Sequence, residues 1–112
     1  MGTNLDKVDM MQGALDLLIL KVIRTRALHG WGIAKRIGEV SRDVLQVNQG
    51  SLYPALYRLE RKGFIDAEWG TSDEGRRAKF YQITPLGRKQ LADVENEWRR
   101  FSIAVELVLT SA

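Results

Sequence analysis

The chain has 112 residues, 45% apolar and 28% charged, with no cysteine and a net charge of +3. That is enough for one domain with a real core; it excludes disulfide scaffolds and thiolate metal sites, and it argues against disorder. The apolar run "ALDLLILKVI" is broken by Asp16 and Lys21 and falls short of the roughly 18 to 20 residues that span a bilayer. No signal-peptide pattern stands in Met1–Asp9, so a soluble, cytoplasmic protein with no membrane partner is expected. The positive charge is uneven: nine of the 17 Lys and Arg fall between Leu20 and Gly63, against Glu39, Asp43 and Glu60.

Met11, Leu15, Leu18, Ile19, Val22 and Ile23 follow helical spacing and predict a first helix over about 10–27. Leu17 and Leu20 lie outside that stripe, so this helix is apolar on more than one side, and a second subunit is the expected cover. His29-Gly30 breaks it, with His29 read as a cap or exposed loop residue. Ile33, Ile37, Val40 and Val44 mark a second helix over about 31–41. The third runs from Asn48 or Ser51 to Lys62 and stops at Gly63, a usual left-handed C-cap.

Two strands follow. "FIDAEWG" sets Ile65, Ala67 and Trp69 on one face, and "KFYQIT" alternates Tyr81 and Ile83 with Phe80 and Gln82. The polar "TSDEGRRA" between them makes residues 64–84 a hairpin with a long tip. Thr84-Pro85, a hydroxyl cap followed by proline at the first helical position, opens a last helix to about Leu109.

In the third helix Leu52, Leu56 and Leu59 face the core. The opposite side presents Ser51, Tyr53, Pro54, Tyr57, Arg58 and Arg61. Pro54 is nearly free of cost if the helix is capped at Gly50 or Ser51, and removes one hydrogen bond if it starts at Asn48. A face of hydroxyls, phenol rings and guanidinium groups suits the major groove of double-stranded DNA. The plainer alternative packs Tyr53 and Tyr57 on the second helix and leaves Arg58 and Arg61 in water. The hairpin adds Arg76, Arg77 and Lys79, on a loop that need not be basic to fold, with Asp73 and Glu74 weakening the field. Two helices, a recognition helix and a basic hairpin make a winged helix-turn-helix, a mainly α fold with a small β-hairpin. The expected division is 1–84 for that DNA-binding unit and 85–112 for a dimerisation helix packed on it.

The stretches "GSLYPALYRLERKGFI", "GRRAKFYQITPLGRKQL" and "HGWGIAKRI" resemble the PadR family of transcriptional repressors, over about residues 10–109. The resemblance implies a dimeric winged-helix repressor on an inverted-repeat operator, often released by a small aromatic effector. It also implies that Tyr53, Arg58, Arg76, Arg77 and Lys79 lie at DNA-facing positions. Larger members carry a further helical domain. This chain looks like the short subclass, whose effector pocket would form between subunits.

Leu91, Val94, Trp98, Phe101, Val105 and Val108 repeat at spacings of 3 and 4, a heptad seam. A small single-chain core cannot cover its far end. The seam is expected to meet the partner's first helix, through Leu15 and Leu18, in a two-fold homodimer. That dimer would set two recognition helices about 34 Å apart, one turn of DNA. Trp98 is either a packing anchor or, with Phe101, a platform for a small aromatic or cationic effector. Catalysis has no support: His29 has no partners for a metal or nucleophile site, and "GWGIAKRIG" lacks the third glycine and preceding strand of a dinucleotide loop. No cofactor is expected. The rival is a winged-helix module used for protein–protein contact without DNA.

Overall fold

The computed structural model describes residues 3–112, with side chains from Gly13 onward. Its elements are α1 (Thr3–Val22), β1 (Leu28–His29), α2 (Gly30–Val40), α3 (Gln49–Arg61), β2 (Ile65–Thr71), β3 (Arg77–Ile83) and α4 (Pro85–Ser111). Four helices and a three-stranded antiparallel sheet in the order β1-β3-β2 form the winged-helix arrangement.

The first helix differs from the expected 10–27: it begins at Thr3 and ends at Val22. Its early end has a tertiary cause, since Leu28 and His29 are drawn out as a strand opposite Tyr81 and Phe80 of β3. Met11 lies outside the described side chains. From Leu15 on, the helix is covered by its own chain. Leu15 is only 3% exposed, and Leu17, Ile19, Leu20 and Ile23 are buried beside it. α1 packs on α2, α3 and α4 at once, which is why it needs more than one apolar side. The second subunit expected over Leu17 and Leu20 is therefore not required there, and Leu15 is a core residue. Leu18 is half-buried against the same core.

α2 begins where expected. The Nδ1 of His29 accepts the Gly32 N–H at 3.0 Å, so the lone histidine is an N-cap. The apolar stripe of this helix ends at Ile37, because Val40 and Val44 are both exposed. Beyond Ser41 the chain reverses through Arg42 and Asp43, both with positive φ, and Ser41 Oγ accepts the Leu45 N–H at 3.0 Å.

α3 is capped by Asn48, whose side chain accepts the Ser51 N–H at 2.9 Å. Pro54 consequently lies inside the helix, and the Gly50 carbonyl loses its i+4 donor; Gly50 is exposed, so water can replace it. Leu52, Ala55, Leu56 and Leu59 face the core. The helix closes in a Schellman turn: Gly63, at φ +78°, donates to Glu60 and Phe64 donates to Leu59.

β2 and β3 pair from Ile65↔Ile83 to Thr71↔Arg77, so the tip is only Ser72–Arg76, shorter than expected. Ser72 N–H donates to the Arg76 carbonyl at 2.7 Å, and Gly75 at φ +79° turns the chain. Ile65 and Tyr81 reach the core, but Trp69 does not, because the hairpin has left the helices behind by that residue.

Thr84 caps α4 as expected, accepting the Gly87 N–H at 3.0 Å while its hydroxyl donates to the Gly63 carbonyl at 2.7 Å. Gly87 is buried, and a side chain there would collide with the Phe64 carbonyl. Leu91 and Val94 join the core, and a Lys21–Glu95 pair at 3.3 Å ties α4 to α1.

Candidate nucleic-acid interface

The side of α3 opposite Leu52 and Leu56 carries Pro54, Tyr57 and Arg61 in the open, with Ser51 half-buried beside its cap. The Arg61 guanidinium lies 5.6 Å from the Tyr57 ring centre, a cation–π pair that holds both side chains on the outer face. Tyr53 sits at the helix start, 47% exposed. Its ring lies against Gly30, where any side chain would strike the Tyr53 hydroxyl. Tyr53 packs on α2 by an edge, as the plainer alternative has it, and shows the remainder to solvent.

Arg58 lies elsewhere. Its guanidinium donates to Asp16 on α1 at 3.0 Å and is two-thirds covered, so it braces α3 against the body. Burial pushes the Asp16 carboxyl above its ordinary pKa, against the opposing pull of Arg58 and Lys62.

On the hairpin, Arg76 and Arg77 are exposed. Arg77 lies 4.9 Å from the Trp69 ring centre. Lys79 is half-buried, 3.5 Å from Glu60 of α3, so part of its charge is spent in fastening the wing to α3. Trp31, Lys35 and Trp69 stand near these groups and were not anticipated. Strand alternation placed Trp69 on one face with Ile65 and Ala67 and gave it no role, and Trp31 carried no pattern beyond its place in "HGWGI".

The seam on α4 divides. Leu91 and Val94 are covered by the chain's own core, whereas Trp98, Phe101, Val105 and Val108 lie open, Trp98 at 44%. The Trp98 and Phe101 ring centres are 5.9 Å apart. Ile103, Leu107 and Leu109 add to the exposed apolar surface at this end. Among the described residues no cluster of His, Asp or Glu could hold a metal, and no helix is long and apolar enough to cross a membrane.

This geometry matches a family of regulators. The model of the transcriptional regulator PadR-like family fits residues 19–93, from the end of α1 into α4. The chain belongs to the PadR-like family of transcriptional regulators. A transcriptional regulator of Mycobacterium tuberculosis is 34% identical over 85 residues, covering 76% of each chain. The uncharacterized protein X of Lysinibacillus sphaericus is 31% identical over 101 residues, 90% of this chain and 93% of that one. Among solved structures, a transcriptional regulator from Clostridium thermocellum superposes with a TM-score of 0.79 at 28% identity, covering 88% of this chain and 95% of its own. A PadR-like transcriptional regulator from Bacillus cereus gives 0.77 at 27%, covering 93% and 99%. Members of the PadR-like family are regulators of transcription.

Proposed function

We propose that this PadR-like regulator is a homodimeric repressor acting in the cytoplasm, which inserts α3 into the major groove at each half of an inverted-repeat operator. The observation that carries the reading is the outward display of Tyr53, Pro54, Tyr57 and Arg61 on a helix flanked by Arg76 and Arg77. Guanidinium groups and phenols beside a short hydroxyl read base edges and hold phosphates, while the hairpin follows the adjoining backbone or minor groove. Arg58 and Lys79 contribute mainly by fixing the angle between helix, wing and body, although both keep partly exposed charge. Ser51 lies at the approach point of the helix.

The open end of α4 supports the dimer. Six seam residues are worth roughly 1.5 to 3 kcal/mol each when buried, and four of them, Trp98, Phe101, Val105 and Val108, remain exposed. With Trp98 and Phe101 facing one another across a two-fold axis, a small aromatic or cationic effector would lie between subunits and alter the spacing of the reading helices.

Binding to the DNA upstream of the protein's own gene, titrated with salt, tests the reading. Affinity should fall with a log–log slope of about −0.9 per phosphate neutralised, made shallower in the Arg76→Ala, Arg77→Ala double variant. Weak association with a flat salt response would instead favour a winged helix used for protein contact.

A further inference from the structure

A groove of about 710 Å³ opens between the wing and the start of α2, with Trp31, Tyr53, Trp69, Arg76, Arg77 and Lys79 in its walls. Two of the protein's three tryptophans stand in it, Trp31 at 55% and Trp69 at 61% exposure. Indoles are ordinarily well covered, and neither of these belongs to the core. Each instead carries a cation on its face: Lys35 Nζ is 5.0 Å from the Trp31 ring centre and Arg77 is 4.9 Å from that of Trp69. Strand register accounts for the second pair. Trp69 lies opposite Lys79 and Thr71 opposite Arg77, which makes Trp69 and Arg77 diagonal neighbours on one face of the hairpin. Glu74 is the acidic group in the lining, against Arg76, Arg77 and Lys79.

Tyr53 belongs both to this groove and to the outward face of α3, so the two surfaces are continuous. We infer that the groove seats one sugar–phosphate strand of the duplex as it passes from the recognition helix to the wing. The cations on the two indoles meet phosphates, the indole faces pack the deoxyriboses, and the indole N–H groups are donors for phosphate oxygens. Trp69 is then a positioning residue, holding the Arg77 guanidinium at the height of the backbone. The inference rests on the DNA-binding reading above and extends it to Trp31, Lys35 and Trp69. Charge and continuity select this occupant: the rim is cationic, the floor aromatic, and one end runs directly onto the reading face.

Because strand contacts carry no base identity, a random-sequence duplex of about three helical turns at low salt is a sufficient probe. Tryptophan emission and DNA affinity are measured together on the full chain and on Trp31→Phe and Trp69→Phe, conservative changes at exposed sites. Duplex addition should quench the parent, and the quench should shrink in Trp31→Phe and in Trp69→Phe. Trp69→Ala should weaken binding about two- to fivefold, the scale of an exposed cation–π contact. Quenching that is undiminished in either groove variant, while DNA still binds, overturns the strand seat and leaves the broader reading standing. A chain that binds no duplex at low salt removes both.

Discussion

Arg58 shows how a distant partner can hold a side chain that the sequence sets on an outward face. Expected among the DNA-facing residues, it pairs in the fold with Asp16, a partner 42 residues away that no local pattern announces. The pair has a pH signature. Burial raises the Asp16 pKa, so the ionised carboxylate carries a penalty above that folded value which vanishes as pH falls toward the unfolded one. Arg58 offsets part of the penalty only while Asp16 is charged. Arg58→Ala should therefore cost about 1 to 2 kcal/mol at neutral pH, between an exposed and a buried pair, and the deficit should narrow as pH falls through the Asp16 value. Urea unfolding followed from pH 7 down to pH 3, below the ordinary aspartate value of 3.8, checks this; a deficit constant over that range would mean that the guanidinium stabilises by packing alone. Tyr53, by contrast, was legible as an exposed residue at the helix start, although its edge contact with Gly30 was not.

Elements were legible where their signals are local. Thr84-Pro85 and Gly63 mark their caps in the sequence, and the leucines of α3 show its buried side directly. What escaped depended on distant partners. β1 is two residues long and exists only because β3 lies alongside, so no alternation could reveal it, and its pairing is what cuts α1 short at Val22. Val40 and Val44 imitated a continuing stripe, but the chain had already turned away from the core. The junction between wing and α4 depends on Gly87, which allows the helix to approach the Phe64 carbonyl. Gly87→Ala should lose about 1 to 3 kcal/mol, the usual cost of overpacking, read as a lower midpoint in chemical unfolding. An unchanged midpoint would show that α4 docks more loosely than this contact requires.

At the scale of the whole molecule, the chain encloses one core and leaves a second apolar surface uncovered. The heptad on α4 was readable from its spacing, but its division was not: the first two positions complete the chain's own core and the last four do not. The apolar excess on α1 was read as an interface and proves to be the chain's own packing from Leu15 onward. The proposed dimer therefore depends more on the distal half of α4. Val105→Asp combined with Val108→Asp should convert the parent dimer to a monomer in light scattering at micromolar concentration, with the far-UV spectrum of the body retained. A parent that is already monomeric would remove the basis for paired reading heads. The central claim is that two copies, joined through α4, apply two α3 faces to one side of a duplex. Hydroxyl-radical footprinting on the DNA upstream of the gene tests it most directly. The account predicts two protected patches related by a two-fold axis, centred about one helical turn apart. A single patch, or protection without symmetry, would contradict it.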